Sequence, residues 1–123
     1  MEAKTIYTGT VDMIGYKVKQ HPIFVGFMGY AKLPADHPWR QLDAEDIPVD
    51  VHGGITYGPD SDGWIGFDTM HAGDSIAIWQ QGKVCRVADG EPWPPRRVER
   101  ETIRLALAVD KEYERYLRDV VYA

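Results

Sequence analysis

Apolar and polar residues alternate along Thr5-Ile6-Tyr7-Thr8-Gly9-Thr10-Val11, and this period of two, rich in β-branched and aromatic side chains, predicts a strand. Gly15 predicts a turn, after which Tyr16-Lys17-Val18-Lys19 alternates again, so the two runs are expected to pair as a hairpin. Ile23 to Leu33 is largely apolar but contains Gly26 and Gly29, which suit a strand with a bulge or a close backbone approach better than a helix. Pro34 to Pro48 mixes prolines with acidic residues and predicts an ordered loop, with a helical turn near Trp39-Arg40-Gln41-Leu42. Val49-Asp50-Val51-His52 reads as a short strand, broken by Gly53-Gly54 and resumed at Ile55-Thr56-Tyr57. The turn signal Gly58-Pro59-Asp60-Ser61-Asp62-Gly63 precedes a further strand, Trp64-Ile65-Gly66-Phe67-Asp68. Ile76–Trp79 and Val84–Val87 predict two short strands within an otherwise turn-rich stretch that ends at Pro95.

A different period takes over at Pro94-Pro95, where proline suits the first turn of a helix running to about Val120. Val98, Thr102, Leu105, Val109, Tyr113, Tyr116 and Val120 recur at steps of three or four and form one stripe to pack on the sheet. Ile103, Leu107, Leu117 and Val121 form a second apolar set centred well away from it. Two coverings are open for that set: a second subunit, giving a homodimer, or residues 80–95 folded over it.

These elements predict an α+β fold, a mostly antiparallel sheet with one long C-terminal helix packed across it, within a single domain spanning residues 1–123. With 44% hydrophobic and 27% charged residues, the composition is that of an ordinary globular chain. No run approaches the ~18 apolar residues of a membrane span. Cys85 is the only cysteine, so no internal disulfide can form, and a cytoplasmic location is expected (the host cytoplasm if the gene is phage-borne).

The net charge of −5 is unevenly spread. Residues 1–32 sum to +2, and residues 33–74 to −8, with Arg40 the one cation among nine acids. A segment of that sign repels phosphate and attracts cations, which argues against general nucleic-acid binding.

Candidate chemistry concentrates between Asp50 and Asp74. His52 precedes Gly53 and Gly54, which either let the backbone approach a ligand or serve turn positions with positive φ. Asp68, His71 and Asp74 are three residues apart, so one tight turn could aim all three at one point, with Tyr57, Trp64 and Phe67 as aromatic walls. The structural alternative has Asp68 and Asp74 capping a turn, and His52 bonded to a carboxylate such as Asp50. Two imidazoles and two carboxylates also form a candidate ligand set for a divalent metal (His52, Asp68, His71, Asp74), whose matching chemistry is hydrolysis by metal-activated water. A metal-free reaction with a histidine as general base is equally compatible. His21-Pro22 and His37-Pro38 read as turn punctuation, and no phosphate-loop motif is present. Arg96 and Arg97 stand at the helix N-terminus, where, with Arg100 and the free N–H groups, they could form a small anion site for a nucleotide whose base rests on Trp93. The alternative is a solvated helix face.

The block His52-Gly53-Gly54-x-Thr56-Tyr57 and Trp64-x-Gly66-Phe67-Asp68-x-x-His71-x-Gly73-Asp74 resembles a family of small phage and prophage proteins of uncharacterised activity. Gly29-Tyr30 and His37-Pro38 are also similar to its pattern, so the likeness covers about residues 15–75, whereas Ser75 to Pro95 departs from it. The resemblance implies a mobile-element setting, where accessory proteins counter host defences, some by binding nucleotide signals. The expectation is a ligand-binding accessory protein whose cleft involves His52, Gly53, Gly54, Tyr57, Trp64, Asp68, His71, Asp74, Arg96 and Arg97. A metal-dependent hydrolase and an inhibitor that binds a host defence protein are the alternatives.

Overall fold

The computed structural model describes residues 2–123. Four strands, β1 (Lys4–Val11), β2 (Ile14–Gln20), β3 (Phe27–Lys32) and β4 (Trp64–Asp68), form an antiparallel meander in the order β1-β2-β3-β4. A second antiparallel sheet contains only β5 (Ile76–Gln80) and β6 (Lys83–Ala88). The helix α1 (Pro95–Tyr116) crosses one face of the larger sheet and widens into a π-helical turn over Leu117–Val121. This is the α+β arrangement that the periodicities predict.

The alternation in β2 and β3 determines which face receives the helix. Ile14, Val18 and Ala31 are buried, while the neighbouring Lys17, Lys19 and Lys32 are not. Against them α1 presents Val98, Leu105, Ala106 and Val109, each fully enclosed, and a fully buried Leu stabilises by about 2 kcal/mol. Thr102 lies in the same stripe, with its hydroxyl donating to the Val98 carbonyl at 2.7 Å, so no polar group is stranded. At Gly29 the sheet meets the helix so closely that a Cβ would overlap the Thr102 hydroxyl and the Phe67 ring. This is the close approach expected of that glycine.

Several boundaries differ from expectation. The β1–β2 turn falls at Asp12-Met13, both at positive φ, and Gly15 lies inside β2. β3 begins at Phe27 because residues 21–26 are a turn, in which His21 Nδ1 accepts from the Ile23 and Phe24 N–H groups at 3.0 Å. Val49–His52 is not a strand. Val51 and Ile55 are buried there on an irregular loop, and only Tyr57 pairs, through an isolated bridge to Gly66. The loop after β3 holds 3-10 turns at Pro38–Gln41 and Ala44–Asp46, close to the helical turn expected there.

The far end of α1 departs from the simple stripe. Val120 is 61% exposed, and Leu107 and Val121 of the second apolar set are each 46% exposed, so residues 80–95 do not cover them. Those residues turn instead to the other end of the molecule, where the β5–β6 hairpin joins the edge at Ile23–Val25 through Val25 N–H to Ala77 O (2.8 Å) and Trp79 N–H to Ile23 O (3.1 Å). No helix is long and apolar enough to cross a membrane among the described residues.

Candidate functional site

Asp74 organises the central polar block. It is 2% exposed, and an isolated carboxylate so deeply buried would be strongly unfavourable. Three short contacts compensate: His52 Nε2 lies 2.8 and 2.9 Å from its two oxygens, and the His71 backbone N–H donates to Oδ2 at 2.9 Å. The Asp74 N–H in turn donates to the His71 carbonyl at 2.9 Å, closing a tight turn over residues 71–74. The carboxylate partner of His52 is therefore Asp74 and not Asp50, which is exposed, because the loop at 49–52 does not keep strand geometry. The expected capping role of Asp74 and its contact with His52 coexist in one side chain.

His52 is held on three sides. Its ring stacks on Trp93 (centroids 4.1 Å apart, planes tilted 36°), its Nε2 is on Asp74, and its backbone N–H donates to Glu101 Oε2 of α1 at 3.1 Å. With Nε2 donating to the carboxylate, Nδ1 is the nitrogen left to accept from solvent or a ligand. The His71 ring stands edge-on to that of His52, centroids 5.9 Å apart. His71 Nε2 lies 2.9 Å from Asp68 Oδ1 but off the hydrogen-bonding line, so this buried nitrogen has no well-formed partner among the described residues. Asp68 spends its oxygens on Met70 N–H (3.0 Å) and the Thr56 hydroxyl (3.3 Å).

Both central glycines take positive φ, +69° at Gly53 and +75° at Gly54, which satisfies the turn reading. Gly53 also packs its backbone against the His71 ring, so the close approach is to a side chain of this protein, whereas Gly54 faces open space.

Other expected members lie elsewhere. Trp64 and Asp68 occupy opposite ends of β4, about 13 Å apart at the usual rise per residue. Tyr57 stays near the Trp64 end, edge-on to Tyr30 at 5.4 Å and donating to Asp60 at 2.8 Å. Phe67 points into the core. Arg96 and Arg97 diverge because successive helix residues are about 100° apart. Arg96 lies over the Tyr7 ring and pairs with Glu99 at 2.8 Å; Arg97 lies over Trp93, 3.9 Å from its centroid, and donates to the Pro92 carbonyl and to Glu91. With His52 and Arg97 both stacked on it, Trp93 has no open ring face for a nucleobase. Its indole N–H is buried without a partner among the described residues.

The expected metal set is not assembled: His52 with Asp74 and His71 with Asp68 form two separate pairs, and no three of the four bring ligand atoms within 4.8 Å of one another. Among the described residues the grouping that meets that spacing is Asp43, Glu45 and Asp46, all exposed. Trp93 also lines a cavity of about 320 Å³ with Phe27, Thr69, Ser75, Val84 and Arg86, so the stretch after Ser75 supplies a second wall beside the block. A larger cavity of about 770 Å³, between the β1–β2 turn and the helix end, contains none of the expected site residues. Glu101, four residues after Arg97, suits an intrahelical pair with it, but it pairs with Arg104 and reaches His52, while Arg97 pairs with Glu91. Glu91 bridges to Asp74 by backbone pairing across 17 residues, and no local motif signals that.

No protein family, curated protein or solved structure matches this chain.

Proposed function

We propose that this chain is a phage-type accessory protein that binds a small polar ligand at the His52–His71 pair, beside Trp93. The observation that carries the reading is the His52–Asp74 contact at 2.8 Å. A buried carboxylate fixes the imidazole so that Nδ1 is presented as a lone pair beside a second, partly exposed imidazole. Such a pair suits a ligand with N–H or O–H donors and, when the rings are protonated, with anionic groups. Nucleotide-type host defence signals have both, and the resemblance of the His52–Asp74 block to phage proteins points to that class. The ligand contacts the imidazoles by hydrogen bonding, since the Trp93 ring is already sandwiched.

Thermal denaturation with a panel of linear and cyclic nucleotides tests this. A ligand at about a hundred times its dissociation constant should raise the midpoint by roughly 10 °C in the wild type. It should leave His52→Gln unmoved. A panel that shifts neither protein, or both equally, sinks the reading.

The same dyad supports a second reading, a metal-free general base in which Asp74 orients His52. The two differ in what is recovered after denaturation: a binder returns its ligand unchanged, whereas an enzyme returns product. Metal-activated hydrolysis draws no support from the ligand spacing.

A further inference from the structure

We propose that the face of the β1–β4 sheet opposite the helix binds single-stranded nucleic acid, its bases stacked on Tyr30 and Trp64 and its phosphates met by Lys17, Lys19 and Lys32. Among the named elements only α1 packs over this sheet, on the other side, so the face is uncovered by regular structure.

The strand register assembles it. Thr8 pairs with Lys17, Lys17 with Tyr30, Tyr30 with Gly66, and Gly66 bridges to Tyr57, so one row runs across all four strands and side chains in it share a face. The adjoining pair Lys32–Trp64 has the same orientation. The rings lie low on the sheet rather than standing up from it. A Cβ at Gly66 would overlap the Tyr30 ring, and a Cβ at Gly15 would touch the Trp64 indole at 4.0 Å. Glycine at 66 is what lets the Tyr30 ring lie flat, and a base stacks on the Trp64 ring once the Lys17 side chain over it turns to a phosphate, a geometry indifferent to sequence.

The charges suit the same occupant. Lys17 Nζ is 4.0 Å from the Trp64 ring centroid and 5.5 Å from that of Tyr30, Lys19 is 5.9 Å from Tyr30, and Lys32 is 6.0 Å from Trp64. None of these lysines has a carboxylate within ion-pair distance among the described residues, whereas Arg96, Arg97, Arg104, Arg115 and Arg118 all do. Partial burial and then the neighbouring Lys19 hold the Lys17 ammonium below the ordinary lysine range, while Asp60 and Asp62 raise it. An incoming phosphate relieves the lysine–lysine repulsion. Acids share the face: Asp60, which accepts from Tyr57, and Asp62 lie near Lys17, and Asp68 occupies the same face of β4 beside Met28. The count of −8 for residues 33–74 misses this patch because Lys17, Lys19 and Lys32 belong to the preceding segment.

Fluorescence anisotropy with a fluorescein-labelled oligothymidylate or oligouridylate tests the assignment. Saturable binding should weaken with salt at a log–log slope near −2, as expected for about three neutralised phosphates on a single strand. Tyr30→Ala or Trp64→Ala should weaken it by about tenfold or more. Lys19→Gln, which removes the cation farther from Tyr30 than Lys17 and should leave the fold intact, should make the slope shallower by roughly 0.7. Failure to bind at about 100 µM protein in about 50 mM salt overturns the proposal. So does equal binding of a polyglutamate of similar charge, which lacks bases and would mark a protein partner or a plain polyanion surface.

Discussion

His37 Nε2 lies 3.0 Å from the carbonyl oxygen of Val109, tying the loop after β3 to the middle of α1. Its Nδ1 accepts the Trp39 N–H at 3.0 Å, so Nε2 carries the proton and the ring is neutral. The histidine is turn punctuation, as its His-Pro context suggests, but it is also 1% exposed and part of the tertiary structure. Burial pushes its pKa below the ordinary imidazole value, outweighing Val109, Glu112 and Asp36, which act the other way. The unfolded chain then binds the proton more tightly. Stability from this group is complete above about pH 6.5 and is lost as the pH falls through the folded-state value. Urea midpoints at about pH 7.5 and about pH 5.5 should differ more for the wild type than for His37→Leu. Equal differences would place the acid sensitivity elsewhere.

Gly53 and Gly54 provide a matched pair. Both need the left-handed region, so alanine at either costs about 1–2 kcal/mol. Alanine at 53 must also displace the His71 ring, while at 54 it enters open space. Chemical denaturation should therefore rank Gly53→Ala below Gly54→Ala, and the reverse order would contradict the packing of Gly53 on His71.

Two carboxylates in the block should behave differently. Asp74→Asn places an amide against donors in a buried position and should cost about 2–4 kcal/mol. Asp68→Asn, 27% exposed, should stay within about 1 kcal/mol, whereas His52→Ala strips the buried Asp74 of its imidazole partner and should cost about 3 kcal/mol or more. If Asp68→Asn and His52→Gln, which keeps an N–H donor for Asp74, both fail to fold, the cluster is structural and carries no ligand.

The exposed side of α1 bears on assembly. Leu107, Val120 and Val121 face solvent in the single chain, and a homodimer with two-fold helix contact would cover them. Light scattering should then report a dimer for the wild type and a folded monomer for Leu107→Glu with Val121→Glu. A monomeric wild type at high concentration rules the helix contact out.

Periodicity made β1, β2, β4 and α1 legible, because each turns one face toward the core, and it marked β5 and β6 as short strands although none of their residues is buried. It misled at Val49–His52, where Val51 is buried by a loop pinned through the His52 N–H to Glu101 rather than by a ladder. Within the candidate site, proximity in sequence joined His71 to Asp68 and Asp74. The contact of Asp74 with His52 depends on β4 returning antiparallel to β3, and that of Trp93 depends on where the chain re-enters before α1. No short pattern encodes either. Tyr57 and Trp64 looked like neighbours of Asp68 because sequence distance ignores the length of an extended strand.

The backbone pairing of Asp74 with Glu91 has an evolutionary consequence. Ser75 N–H donates to Glu91 O at 2.9 Å and Glu91 N–H to Gly73 O at 2.8 Å, so the chain leaves and re-enters the body of the protein at one spot. Everything between, including β5 and β6, is topologically an insertion clipped at its neck; among the described residues its other backbone hydrogen bonds to the body run along Ile23–Val25. A segment with touching ends can be lengthened, shortened or exchanged without moving the ends themselves. The hairpin wall beside Trp93 can thus be lengthened or exchanged without displacing the dyad or the four-stranded sheet, as a replaceable cassette on a fixed body.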